Sequence, residues 1–284
     1  MQKLLKTFIF VILSLHFGLI CVGCHRETSV KGGIIALTPS LTEAVWAVGT
    51  PEHMPLVATS PYTTDVRANG LERLQAQGSL ERIVAMQPSL VLLHPSDSQL
   101  AGRLEALGIP VMASSMDTVA DIEATLQALG RRLARAQEAA QAIEKMRAEM
   151  MTKTQKSAEP VPQILLIIDR LDMRMQQFYT AQPPAFIAEL VEGCGYEVLR
   201  IKSESWSQLS AEDLMVLNPD RILFLARSSE DAKQVSVEFD RVLGASLDAV
   251  GHGQFYVYDD PGITVPGPEM GRRQRKLCQW LKAQ

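Results

Sequence analysis

Two ten-residue stretches constrain the fold more than any other feature of the chain. Ser79 to Pro88 (SLERIVAMQP) and Ser210 to Pro219 (SAEDLMVLNP) align without a gap at an offset of 131 positions. Each precedes an apolar run, Leu90–Leu93 and Ile222–Leu225. The grammar is a Ser-capped short helix, a proline stop and a strand buried on both faces. A unit used twice at that spacing predicts two related lobes rather than one continuous sheet.

The surrounding sequence supports this. Ile34–Leu37, Leu56–Ala58, Leu90–Leu93 and Ile109–Ala113 read as strands of the first lobe. Between them, Ser40-Leu41-Thr42-Glu43 reads as a capping box opening a helix that Gly49 ends, and Leu100–Leu107 reads as a helix stopped by Gly108. In the second lobe, Ile164–Ile168, Arg221–Ala226 and Phe255–Tyr258 read as strands, with helices over Ala185–Val191 and Glu269–Leu281. Strands alternating with helices predict an α/β protein, each lobe having a mainly parallel sheet flanked by helices. Between the lobes, apolar residues recur at steps of three and four from Val119 through Leu126, Leu133, Ala140 and Met150. That spacing predicts one linking helix of about 33 residues, roughly 50 Å at ~1.5 Å per residue. A coiled-coil seam for self-association is the alternative, and Gly130, Ala136 and Ala140 make such a seam weak. The polar stretch from Lys153, then Pro160 and Pro162, ends the segment.

The beginning of the chain sets the compartment. Lys3 and Lys6 precede an apolar run from Phe8 to Ile20, too short for a comfortable membrane span and matched to a signal-peptide core. The run closes on Cys21-Val22-Gly23-Cys24, and a small residue before a cysteine is the mark of lipoprotein processing. Residues 1–23 are therefore expected to be a cleaved leader and Cys24 the lipid attachment, with plain secretion as the alternative. The expected organisation continues with a tether over 24–32, a first lobe over 33–116, a linking helix over 117–158 and a second lobe over 159–284. Export puts the chain in the periplasm or on the outer face of the cytoplasmic membrane. Cys194 and Cys278 are then an even pair in an oxidising compartment, and a disulfide is expected; two unrelated buried thiols are the alternative. Loss of Lys3 and Lys6 with the leader takes the formal charge from −4 to −6, which argues against nucleic acid as a partner.

In an open parallel sheet, ligands bind beyond the carboxyl ends of the strands. The residues that follow the expected strands are Thr38, Tyr62 and His94 in the first lobe. In the second they are Asp169, Trp206, Arg227 and the loop Asp259–Pro266. If the lobes face one another, these sets share a cleft, and aromatic residues there suit a large ring-bearing ligand. Phe178 is expected to add apolar area. His94 ends an apolar strand, where a hydrogen-bonded structural histidine is the commoner outcome than a metal contact. Glu81 and Glu212 occupy matching positions in the two lobes. The helix dipole explains one acid in a first turn, whereas two at matching positions suit arginines of a two-fold partner. No H-E-x-x-H, G-x-S-x-G or phosphate-binding glycine motif occurs, and the five histidines form no spaced cluster, so neither a metal nor a cofactor is expected. Asp259 and Asp260 are the only adjacent acids near the expected cleft. An enzyme that processes a chelate, or a self-associating structural lipoprotein, would be the alternatives to a binding protein.

These residues carry a resemblance. Ile35-Ala36-Leu37-Thr38-Pro39-Ser40-x-Thr42-Glu43, Leu80-Glu81-Arg82-Ile83-Val84-Ala85-Met86-x-Pro88-x-Leu90-Val91 and Leu104-x-x-Leu107-Gly108-Ile109-x-Val111 resemble the periplasmic binding proteins of iron-chelate and cobalamin ABC importers, above all the cobalamin-binding branch. The resemblance implies two lobes joined by a single rigid helix, with a monomer that gives a corrinoid or iron chelate to a permease dimer and its ATPase subunits. It implies ligand contacts at Tyr62, Trp206 and the loop Pro261, Gly262, Ile263, Thr264 and Val265. It also implies docking of Glu81 and Glu212 onto permease arginines, and a disulfide between Cys194 and Cys278. The chain departs at His94, where the cobalamin branch has tryptophan, and through the 261–265 loop. His94 and Tyr62 keep a haem ligand open, and a siderophore belongs to the same family.

Overall fold

The computed structural model describes residues 32–151, 160–172, 174–202 and 204–284. The expected leader and the expected lipid-attachment residue Cys24 lie outside them. The first sheet is built from β1 (Ile34–Ala36), β2 (Leu56–Thr59), β3 (Glu72–Arg73), β4 (Leu90–Leu93) and β5 (Val111–Ala113). Its spatial order is β3-β2-β1-β4-β5, and every pairing is parallel. The order reverses direction between β1 and β4, so the crevice at their carboxyl ends is the switch point of this lobe. β1 and β4 are buried along their whole length, as a parallel sheet covered on both faces requires.

The second sheet contains β6 (Gln163–Arg170), β7 (Gln177–Ala181), β9 (Trp206–Ser210), β10 (Ile222–Leu225) and β11 (Phe255–Tyr258), with the short β8 (Glu197–Val198) paired to β6. The order β11-β10-β6 is parallel, and β6-β7-β9 is antiparallel. The hairpin β6–β7 and strand β9 were not apparent in the sequence. They bring Trp206 beside the carboxyl ends of the parallel strands.

The repeated unit is present in both lobes. Helices α2 (Leu80–Met86) and α7 (Ala211–Leu217) end on Gln87 and Asn218, both left-handed at φ 48 and 37, and each is followed by proline and a fully buried strand. Ser210 forms a capping box with Asp213, whereas the Ser79 side chain makes no cap bond. Helix α1 (Pro39–Val48) opens differently from the expected capping box. Thr38 is its cap, accepting from Leu41 N at 3.2 Å, and Pro39 takes the first turn, where a missing N–H costs nothing. Glu43 is thereby freed from a capping role.

The expected single linking helix over 117–158 is two helices within the described residues. They are α4 (Val119–Arg132) and α5 (Ala136–Glu149), with α3 (Ser98–Ala106) preceding them in the first lobe. The chain breaks at Ala134, which is left-handed at φ 54, and the helices pack on each other. Gly130 permits the close approach, because a Cβ there would lie 2.5 Å from the Ala139 Cβ. Ile122, Leu126 and Leu129 of α4 and Ala139, Ile143 and Met146 of α5 join one buried cluster. That cluster also takes in β1, β4, β6 and β10, as well as α6 (Phe186–Gly193) and α10 (Met270–Leu281). The two sheets therefore share a core through these helices. Each keeps a separate cluster on its far side, the second lobe's being closed by α8 (Ser229–Leu243) and the short α9 (Asp248–Gly251). Cys194, at the end of α6, and Cys278, within α10, form a disulfide with Cα atoms 4.9 Å apart.

Candidate functional site

In the first lobe, the loop after β2 is held by hydrogen bonds rather than by apolar packing. Thr59 and Thr63 hydroxyls meet at 2.9 Å, and Ser60 Oγ accepts from Tyr62 N at 3.2 Å. The Arg73 guanidinium donates to the carbonyls of Ser60 (3.2 Å), Thr63 (2.8 Å) and Ala68 (3.1 Å). Tyr62 stands out from this pinned loop with 71% of its surface exposed, its hydroxyl accepting from Gln75 Nε2 at 3.4 Å. The exposed ring thus lies outside the core, on a loop fixed by polar contacts. His94 caps the turn Pro95–Asp97: its Nδ1 accepts from Ser96 N at 3.2 Å and lies 2.8 Å from Ser96 Oγ. That nitrogen has a structural partner. Among the described residues no group of three His, Cys, Asp or Glu could hold a metal ion.

In the second lobe, the strand ends enclose a cavity of about 290 Å³. Trp206 and Tyr179 stack there with ring centres 6.2 Å apart and planes 14° from parallel. Phe186 leans on Trp206 at 6.2 Å and 48°. Asp169, at the end of β6, and Arg227, just past β10, form an ion pair on the cavity wall. Pro261 and Thr264 complete the lining. The indole Nε1 of Trp206 is buried, and among the described residues no acceptor reaches it.

The sequence-predicted contacts divide accordingly. Trp206, Pro261 and Thr264 meet in this cavity. Gly262 lies in the same turn, donating its N–H to Asp260 Oδ1 at 3.0 Å, and Val265 gives its carbonyl to Arg273 Nη1 at 2.8 Å. Two expected contacts are corrected. Ile263 points into the shared core, and Phe178 is wholly buried against Phe239 with ring centres 5.7 Å apart. Successive residues of a strand face opposite ways, so burial of Phe178 is what turns Tyr179 into the cavity. Tyr62 and His94 belong to the first lobe and do not line this cavity.

The loops beyond the two sets of strand ends touch. Phe186 N donates to Asp117 O at 2.8 Å, joining the start of α6 to the segment after β5. Glu43 of α1 pairs with Arg273 of α10, both about nine-tenths buried at 11% and 10% exposure. Burial pushes the Glu43 carboxyl above its ordinary value, against the opposing pull of Arg273. Gly267 packs on the same carboxylate, since a Cβ there would lie 2.9 Å from Oε2. The carboxyl edges of both sheets thus face a common junction. The pairing of Glu43 with Arg273 was not apparent in the sequence, because it spans 230 positions.

Glu81 and Glu212 are exposed in the first turns of α2 and α7, and among the described residues no cation pairs with either. Met215 and Val216, three and four positions beyond Glu212, share its face, and Val216 is 87% exposed.

Residues 34–261 match the family model described as periplasmic binding protein. The chain belongs to that family. A periplasmic binding protein captures a solute and gives it up to a membrane importer; it is not an enzyme, and the family is one of exported proteins. Two relatives named vitamin B12-binding protein, from Yersinia pestis (strain Pestoides F) and Yersinia pseudotuberculosis serotype O:3 (strain YPIII), are 30% identical over 203 residues. The match covers 69% of this chain and 70% of each relative. Among solved structures, the periplasmic vitamin B12 binding protein BtuF of Vibrio cholerae aligns with a TM-score of 0.65 and 22% identity, over 88% of this chain and 96% of that one. The periplasmic heme binding protein HutB of Vibrio cholerae aligns with a TM-score of 0.70 and 16% identity, over 88% and 98%. These likenesses establish the fold. Among the described residues no helix is long and apolar enough to cross a membrane.

Proposed function

We propose that this protein is the lipid-anchored binding component of an ABC importer, and that it captures a corrinoid at the junction of its two lobes. The observation that carries the reading is the aromatic cavity at the carboxyl ends of the second sheet. There Trp206, Tyr179 and Phe186 offer flat apolar area at low entropic cost. Tyr62 provides an exposed ring from the opposite lobe. Relatives named for vitamin B12 at 30% identity favour a corrinoid over the haem and siderophore alternatives. Acylation at Cys24 keeps the loaded protein at the membrane surface, near its permease.

Glu81 and Glu212 present the loaded protein to that permease. Their carboxylates have no internal partner among the described residues, and the exposed Met215 and Val216 supply apolar area beside one of them. Arginine is the natural complement, because it grips a carboxylate with two parallel hydrogen bonds. The test is the double variant Glu81→Ala with Glu212→Ala in cells that depend on this protein for corrinoid uptake. We expect cyanocobalamin binding within twofold of wild type and uptake at least tenfold slower. Wild-type uptake would leave both acids as helix-dipole partners only.

A further inference from the structure

The charged pair on the cavity wall has a chemistry that the capture reading does not use. We propose that Asp169 and Arg227 form a selectivity clamp for primary carboxamides on the rim of the ligand. The cavity then takes an amidated, uncharged chelate in preference to one bearing free carboxylates. The proposal rests on the capture reading and adds the ligand's peripheral chemistry to it.

The geometry points to an amide in three ways. First, the pair is built and held. Asp169 Oδ1 accepts from Arg170 N at 2.8 Å, and its Oδ2 takes the Arg227 Nη2 donor. Arg227 N donates to Asp231 Oδ2 at 2.8 Å, which fixes the backbone from which the guanidinium extends. Second, the pair is reachable. The Arg227 side chain is 68% exposed and that of Asp169 31%, so further guanidinium donors and carboxylate lone pairs face a ligand. Third, its charges cancel. Among the described residues they are the only charged ones lining the cavity, so no described cation stands there alone for an anion. Asp259 and Asp260, which take Ser229 Oγ at 2.6 Å and Gly262 N at 3.0 Å, add negative potential beside it.

A primary carboxamide carries one acceptor and one donor on neighbouring atoms. Its carbonyl accepts from Arg227 while its NH₂ donates to Asp169, and both bonds are charge-assisted. A carboxylate in the same place meets Arg227 but lies against Asp169, where like charges repel. Discrimination of this kind comes from the group left unpaired as much as from the bond made.

The test is a calorimetric titration of cyanocobalamin, its three isomeric monocarboxylic acids, each with one peripheral amide hydrolysed, and haemin. The proteins are wild type, Arg227→Gln and Asp169→Asn, each checked by circular dichroism. For wild type we expect at least one acid isomer to bind tenfold or more weakly than the parent amide, with haemin weaker still. Asp169→Asn, which removes the repelling charge and keeps a partner for Arg227, should bring that isomer within threefold of the parent. Equal binding of all three acids and the parent overturns the clamp, as does a deficit that Asp169→Asn leaves unchanged. Haemin bound in preference to every corrinoid also overturns the clamp while leaving ring-chelate capture intact. Failure of every ring chelate to bind removes the capture reading and the clamp together.

Discussion

Glu43 shows how a single residue ties the two lobes together. Its carboxylate and Arg273 meet in a nearly buried pair between α1 and α10, with Gly267 closing over it. Taking both charges from water is costly, and removing one partner is costlier, because it strands the other. Glu43→Ala should therefore destabilise the fold by about 3–5 kcal/mol, seen as a lower urea midpoint, whereas Glu43→Gln keeps an acceptor for Arg273 and costs less. The pH dependence carries a definite sign. Burial raises the folded pKa of Glu43 above the ordinary value of 4.5, so the folded chain holds that proton more tightly than the unfolded chain. The stability this gives is complete below 4.5 and is lost as pH rises through the raised value. The stability of wild type relative to Glu43→Gln should thus fall across that window, and a difference that stays flat would contradict it. In the sequence Glu43 reads as a capping partner, since Ser40-x-x-Glu43 has the right spacing. Thr38 and Pro39 start the helix two residues earlier, and only the distant Arg273 reveals what Glu43 does. Phe178 and Tyr179 pose the same difficulty on a strand. One of two adjacent aromatics must face the core, and without the partner strand the sequence does not say which.

At the level of elements, the helical connection holds the clearest departure from the sequence pattern. The apolar period runs through Leu129, Leu133 and Ala136 without interruption, yet the chain turns at Ala134. Ala134 adopts a left-handed conformation that ordinarily calls for glycine, so no punctuation marks the break. Packing of α4 on α5 through Gly130 decides it. Gly130→Ala sets two effects against each other. Alanine favours an isolated helix by about 1 kcal/mol over glycine. Its Cβ, however, would fall 2.5 Å from that of Ala139 and 3.0 Å from the Arg135 carbonyl. Overpacking of this kind costs about 1–3 kcal/mol and should prevail, giving a net loss in the urea midpoint. A gain would show that the helices can part freely. Other elements were legible because their signals are local. The αL caps followed by proline at 87–88 and 218–219, and the all-apolar strands β4 and β10, sit where the repeat places them. Strands β7 and β9 were not legible. Neither alternates cleanly, since β7 (QFYTA) sets two aromatics side by side and β9 (WSQLS) has only two apolar residues; β7 pairs with β6 and β9 with β7, without a short hairpin signal between them. The cavity depends on those two strands, so Trp206 could be read from the sequence while its partner Tyr179 could not.

Over the whole molecule, the two sheets are not independent bodies on a flexible link. One buried cluster passes from β1 and β4 through α4, α5, α6 and α10 to β6 and β10, and the Cys194–Cys278 disulfide fastens α6 to α10. Met151 N donates to Gln274 Oε1 at 2.6 Å, and Gln274 Nε2 donates to the carbonyls of Met151 and Leu190 at 2.9 Å, which ties the same helices further. A shared core resists hinge motion, because packed interiors deform little. The proposed binding surface is accordingly expected to be pre-formed, and ligand capture should require no large rearrangement. The most direct measurement is calorimetric titration of cyanocobalamin into wild type and Trp206→Ala, with unfolding midpoints measured alongside. The account predicts saturable one-to-one binding to wild type and at least a tenfold loss of affinity in Trp206→Ala, with an unfolding midpoint close to that of wild type. Equal affinity for the two proteins would contradict it, since the aromatic cavity at the second lobe's strand ends would then not be where the ligand is held.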